Sequence, residues 1–392
     1  MAFSEHDWRV KLTLLLASSL TIMSMITISA SLPDMAKTFA GVENSEALVK
    51  LSLSFPALFI ALSAAIGGRL IDKFGRLKLL GASLFFYAIA GTSGYWLNDL
   101  YQILAGRALL GICVGLSMTI VTTLIADYYI GKERQKFAGL QIAFMSVAGI
   151  IFITLGGILA DINWRVPFLL YGVSLLILPA TLIYLKEPQI VHEKHESGTK
   201  VKSPSIIWLV FINVMIMWIM FFIIPIQIPF YLKSIGVEKN TLIGIAIAVS
   251  TLFSAVSSFS FAKIKDKLNF RQIFGLGYFL MAIAFLSIAY GGSYGMVLWG
   301  MVLAGLGMGF MIPNANVWVM QLAPPEIRGR EIGRLTTFWF MGQFLSPIIL
   351  LPLLDYVSQS QLFIILAAVL LGLCVMFLIL NAKAGKDGSK QD

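Results

Sequence analysis

The run Gly68-Arg69-Leu70-Ile71-Asp72-Lys73-Phe74-Gly75-Arg76-Leu77-Lys78 puts four cations, one carboxylate and two glycines into eleven residues. It joins two apolar stretches, 47–71 and 78–97. Each approaches or exceeds the roughly 20 residues that a helix needs to cross a bilayer. Glycines permit a tight turn and close helix approach. A carboxylate among cations can cap a helix start. A short basic turn between two such stretches is the signature of a helical hairpin in a membrane.

The same pattern extends over the whole chain. Twelve apolar stretches can be marked: 12–33, 47–71, 78–97, 101–126, 138–160, 166–185, 206–231, 242–262, 271–290, 295–320, 333–354 and 361–381. Hydrophobic residues make up 58% of the 392 positions and charged residues only 12%. A soluble chain carries about 25% charged residues, so a water-facing surface cannot be assembled from this inventory. Disordered, collagen-like and disulfide-scaffold readings fall with it. The two cysteines, Cys113 and Cys374, lie in apolar runs. A net charge of +9 would suggest nucleic acid, but the cations sit in short connections between apolar stretches, so no nucleic-acid partner is expected. The fold class is an all-α membrane protein with 12 transmembrane helices. The first stretch is not a cleavable leader, because Ser29-Ala30-Ser31 runs directly into Leu32-Pro33-Asp34.

Lysine and arginine set the orientation. The N-terminus and the even-numbered connections, with the C-terminal tail, hold 23 of them, the opposite side 5, and Arg107 lies inside span four. The basic side is the cytoplasmic one, which places both termini in the cytoplasm of a cell (inner) membrane protein. The polar segment 186–205 divides six spans from six and reads as a flexible linker. The expected domains are a bundle at 1–185, the linker 186–205, a second bundle at 206–381 and a tail at 382–392.

The two halves carry a repeat. Asp72 and Asp266, Gly111-x-x-x-Gly115 and Gly305-x-x-x-Gly309, Arg134 and Arg328, and Asp161 and Asp355 all differ by 194 in position. Several markers in order at one offset argue for two pseudo-symmetric six-helix bundles in the same orientation.

The loop at Gly68–Lys78 resembles the signature loop of the major facilitator superfamily. Its second copy, Ala262-Lys263-Ile264-Lys265-Asp266-Lys267-Leu268-Asn269, is degraded. Further matches are Arg107-x-x-x-Gly111, Asn163-Trp164-Arg165-Val166-Pro167-Phe168 and Pro325-Glu326-Ile327-Arg328-Gly329-Arg330. The resemblance runs from span one to span twelve and is nearest to the twelve-span drug:proton antiporter branch. Gly156-Gly157 lacks the preceding proline that this branch carries. The resemblance implies a conformational latch in which Asp72 contacts the start of span eleven and Arg76 pairs with Asp127, with Gly68 and Gly75 shaping the turn. The other reading of the loop is a solvated anchor whose cations set orientation.

Charge inside the hydrocarbon region costs about 2.5–3.5 kcal/mol or more, so such residues usually have a task. Arg107 is about six residues from the outer end of span four, roughly 9 Å deep. Asp34 follows Pro33 at the outer end of span one. The two are expected to pair, with Asp34 exchanging protons; otherwise Asp34 is an exposed helix-end carboxylate and Arg107 a snorkelling residue. The resemblance implies a cleft lined by spans one, four, seven and ten. Candidate lining groups are Met118, Gln141, Trp218, Phe222, Asn314, Asn316 and Gln343, with Trp318 and Trp339. Methionine and aromatic walls adapt to varied apolar ligands.

Gly291-Gly292-Ser293-Tyr294-Gly295 fits the hydrolase pattern Gly-x-Ser-x-Gly. It falls in an outer connection, while His6, His192 and His195 are all on the cytoplasmic side. No enzyme, cofactor or metal is therefore expected, and no phosphate-binding loop is present for ATP. The expected function is secondary active, proton-coupled efflux of small amphiphilic compounds, drugs or metabolites, by a monomer in the lipid bilayer. The alternative is import or uniport of an organic anion or sugar, with Arg107 as the anion partner.

Overall fold

The computed structural model describes residues 7–188 and 202–388. The linker reading for 186–205 therefore falls mostly outside the described residues, as do His6, His192, His195 and the last four residues of the tail. Among the described residues there is no strand. That follows from the solvent, because hydrocarbon offers backbone amides no partner and a helix satisfies its own.

The helices are α1 (Trp8–Ile26), α2 (Leu32–Thr38), α3 (Ser45–Phe74), α4 (Arg76–Trp96), α5 (Leu100–Tyr128), α6 (Gly131–Ile162), α7 (Ser174–Tyr184), α8 (Ile206–Ser234), α9 (Asn240–Lys265), α10 (Phe270–Gly291), α11 (Tyr294–Leu322), α12 (Arg328–Leu350) and α13 (Gln359–Gly388). They provide twelve segments long and apolar enough to cross a membrane. The first segment is broken: α1 stops at Ile26, Ser29–Ser31 forms one 3-10 turn, and α2 restarts with Pro33 in its first turn. The sixth begins as a 3-10 run over Val166–Val173 before α7. The last helix runs on to Gly388, into the segment assigned to the tail.

Two compact units emerge. One holds the described residues of 1–200 together with 239–244 and 343–347; the other holds those of 201–238, 245–342 and 348–392. The first turn of α9 joins the first unit because Asn240 is hydrogen-bonded to Asp34, Ala160 and Asp161. In that unit Leu14, Leu20, Ile60, Leu84, Tyr87, Ile103, Leu110 and Phe168 are buried. In the other the core includes Phe211, Val214, Phe274, Tyr278, Phe285, Met301 and Phe363. Large apolar side chains such as Leu176, Ile183, Leu209 and Phe259 stay exposed, as a surface facing lipid requires.

The 194-residue repeat is written into the packing. A Cβ on Gly111 would lie 2.4 Å from the carbonyl oxygen of Pro56, and one on Gly305 would lie 2.3 Å from that of Ser250. A Cβ on Gly115 would lie 2.1 Å from Ser63 Oγ, and one on Gly309 2.0 Å from Ser257 Oγ. Positions 56 and 250, and 63 and 257, keep the same offset. In both units a glycine face therefore lets one helix touch the backbone of the next, the way helices associate where water supplies no driving force. The arginines repeat as well. Arg134 Nε donates to the Tyr129 carbonyl at 3.0 Å, and Arg328 Nε to the Ala323 carbonyl at 3.2 Å.

A proline inside a helix frees a carbonyl one turn back, and in α11 a side chain answers it. Pro313 cannot donate to the Gly309 carbonyl, and Ser258 Oγ donates there instead at 2.8 Å.

Candidate functional site

Gly75 closes α3 and opens α4 with φ +81° and ψ 162°, a conformation essentially confined to glycine. A glycine has no side chain with which to cap the helix it starts. The carboxylate of Glu187 does so from 110 residues away, accepting the backbone N–H of Arg76 at 2.7 Å and of Leu77 at 2.8 Å. Arg76 is 7% exposed, and its Nε donates to Asp127 Oδ2 at 2.8 Å. Beside that pair, the Tyr128 hydroxyl donates to the Lys186 carbonyl at 2.5 Å and accepts its N–H at 3.0 Å. The next residue, Tyr129, stacks on Phe137, and burial pushes its hydroxyl up to about 12, so it stays protonated at physiological pH. Of the expected latch residues, the structure joins Arg76 and Asp127 and uses Gly75 for the turn. Gly68 and Asp72 lie exposed on the last turns of α3. Glu187 and Tyr128 had no role in the sequence reading. Their only signal is Lys186-Glu187-Pro188, where a proline ends the apolar run.

Arg107 corrects an expectation. It is 1% exposed and does not pair with Asp34. Its Nε donates to the Ser52 carbonyl at 2.9 Å, Nη2 to the Ser24 carbonyl at 2.8 Å, and Nη1 to the Tyr171 hydroxyl at 2.9 Å. Both carbonyls are orphans of their helices. Ser52 would be served by residue 56, which is proline and has no N–H. Ser24 lies in the last turn of α1, where the carbonyls have no intrahelical donor. Arg107 is thus a strut that ties α1, α3, α5 and the 3-10 run of the sixth segment. Nor does it snorkel, since its guanidinium is enclosed by protein.

Asp34 lies on α2, beyond the break in the first segment. It accepts from Lys37 Nζ at 3.2 Å and from Asn240 Nδ2 at 3.0 Å. Asn240 opens α9, and its own N–H goes to Asp161 Oδ1 at 2.6 Å, while the Thr241 N–H goes to Asp161 Oδ2 at 3.1 Å. A carboxylate receiving the first amides of a helix is favourably placed against the helix dipole. Two acids of the first unit therefore hold the start of α9, one by its backbone and one by its side chain. Sequence reasoning had marked Asp161 only as a repeat position.

The amide and aromatic candidates divide. In the second unit the rings of Trp218 and Trp339 lie 6.0 Å apart at 43°, and Phe221 meets Trp218 edge-on at 6.0 Å. Both indole N–H groups lack an acceptor among the described residues. Phe222 is buried, and Asn314 is fully buried with Nδ2 donating to the Phe270 carbonyl at 2.9 Å. Asn316 bonds back to the Ile312 carbonyl of its own helix at 3.2 Å, and Trp318 stacks on Phe270 at 5.4 Å. In the first unit Gln141 Nε2 donates to Ser18 Oγ at 2.8 Å, and Met118 is half-buried on α5. Gln343, also in that unit, is 2% exposed, with its Oε1 unpartnered among the described residues. Ser293 of the Gly-x-Ser-x-Gly match is the N-cap of α11, accepting from the Met296 N–H.

Comparison with known proteins adds to this geometry. The profile of the Major Facilitator Superfamily matches residues 14–269 and 238–391. The chain is similar to the bacillibactin exporter of Bacillus subtilis, 24% identical over 88% of this chain and 89% of that protein. It is also similar to the multi-drug resistance efflux pump PmrA of Streptococcus pneumoniae, 27% identical over 76% of this chain and 77% of that one. A bacterial homolog to the human lysosomal transporter Spinster shares its fold at a TM-score of 0.77, with 16% identity over 95% of this chain and 96% of that chain.

Proposed function

The chain belongs to the major facilitator superfamily, and on that premise we propose that it exports small amphiphilic organic compounds by alternating access, driven by proton entry. It is a multi-pass membrane protein. The lysine and arginine bias, 23 against 5, supports both termini lying in the cytoplasm. The observation that carries the cargo class is the paired indoles of Trp218 and Trp339, an aromatic pair with two buried N–H donors that have no acceptor among the described residues. Such a pair suits a flat apolar body bearing a carbonyl, phenol or similar acceptor. The exporters aligned over most of the chain support the direction. As a carrier the protein makes and breaks no covalent bond in its cargo and uses no cofactor.

Asp34 is the proposed proton carrier. While ionised it accepts from Asn240 and Lys37. Protonation removes the charge that both donors favour and loosens the hold on the first turn of α9. Coupling needs only that the two conformations differ in proton affinity. Proteoliposomes loaded with a pH dye and challenged with a panel of dyes, antibiotics and catecholate chelators test this. Cargo movement should drive opposite proton movement, and Asp34→Asn should exchange cargo without responding to a pH gradient. Transport that ignores collapse of the gradient overturns antiport. An Asp34→Asn protein that still follows the gradient removes Asp34 from the pathway. Uniport of an organic anion through Arg107 loses its basis, because that guanidinium is committed to internal acceptors.

A further inference from the structure

We propose that the degraded loop copy between α9 and α10 is a binding site for the phosphate headgroup of an anionic phospholipid. The cations are Lys263, Lys265, Lys267 and Arg271, and Asp266 is the one acid between Glu238 and Glu326. None of the four has an acidic partner among the described residues. In the first copy the corresponding turn is different, because Asp127 and Glu187 engage its residues.

Two of these cations are held rather than loosely solvated. Lys265 Nζ sits 3.9 Å from the ring centroid of Phe270, and Phe270 is itself stacked on Trp318 with the planes 1° apart. Arg271 Nη1 donates to the Leu380 carbonyl at 2.8 Å, and Asn269 Nδ2 to Asn381 Oδ1 at 2.6 Å, which fixes the start of α10 against α13. Lys263 and Lys267 are exposed beside them. The α10 start is already capped by its own Asn269 and Gln272, so the cations are not needed to organise it. Ordering cations before a ligand arrives lowers the entropic cost of binding, and a phosphate is the complementary charge.

The geometry points to lipid rather than to free phosphate. Leu252, Val256 and Phe259 are exposed on α9, the last at 73%, and with Lys263 they fall at helical spacing along one stripe. That stripe gives an acyl chain a path that ends at the cations, at the end of a membrane-spanning segment. The proposal depends on the membrane setting but not on cargo or direction of transport.

Native mass spectrometry of the full chain in detergent, titrated with dioleoylphosphatidylglycerol, reads the site directly. The variant Lys263→Gln/Lys265→Gln/Lys267→Gln should retain about tenfold less of this lipid than the parent, since each cation near an anionic surface contributes measurably. The charge-matched Lys78→Gln/Lys132→Gln/Lys136→Gln protein should retain as much as the parent, and Lys265→Arg should as well. If the triple variant unfolds, Lys263→Gln/Lys267→Gln replaces it, because both side chains are exposed. Equal retention by variant and parent overturns the proposal, as does equal retention of dioleoylphosphatidylcholine. Displacement by millimolar inorganic phosphate overturns it too, by making the site one for free anion.

Discussion

Gly75 and Asn269 occupy equivalent places in the two halves, 194 residues apart, and the helices that follow them start in different ways. Asn269 caps α10 with its own side chain, accepting from Gln272 N–H while Gln272 returns a bond to its backbone. Gly75 cannot do this, and α4 borrows the carboxylate of Glu187. One difference at a cap therefore decides whether a helix start is capped from within its own loop or from the far end of its bundle. In the first unit that wiring brings Arg76, Asp127, Tyr128 and the backbone of Lys186 into one cluster. In the second, the cap comes from within the loop, Asn269 and Arg271 bond onward to α13, and the lysines have no acidic partner among the described residues.

Three substitutions can break or sharpen this contrast. Arg76→Ala should have the largest effect, about 2 to 3 kcal/mol of stability, because it leaves the Asp127 carboxylate unpaired in a partly buried position. Thermal unfolding in detergent measures it, and a loss no greater than for a surface residue would remove the wired loop. Glu187→Ala should cost about 1 to 1.5 kcal/mol, less than a fully buried cap because the carboxylate is solvent-accessible. It should also speed amide hydrogen exchange at Arg76 and Leu77, with unchanged exchange telling against the cap. Asn269→Ala should be mildest, about 0.5 to 1 kcal/mol, with transport intact; a strong transport defect would show that this loop carries as much as the first.

Much of this was legible early because it follows from composition and spacing. Twelve apolar stretches at bilayer length, cations between them and a fixed offset of 194 require nothing beyond the chain itself. The glycine pairs at 111/115 and 305/309 keep that offset, and each touches a neighbouring helix. The Arg107–Asp34 pair was misread for a clear reason. Position along a helix gives depth but not which neighbour a side chain faces, and the break at 27–31 puts Asp34 on a separate helix from α1. A better signal was present in Pro56, whose missing N–H announces a free carbonyl at Ser52. Glu187 and Asn240 were invisible, since their partners are 110 and 206 residues away in the chain.

Hydropathy, charge bias and repeat spacing by themselves determined the solvent, the number of crossings and the duplication, because each depends on residue type counted along one dimension. Tertiary structure alone decided which carbonyls Arg107 would serve, which acid would cap α4, and which carboxylates would hold the start of α9. Those choices depend on rotation about helix axes and on gaps opened by prolines and breaks. In a medium without water every unmet backbone group must find such a partner within the fold.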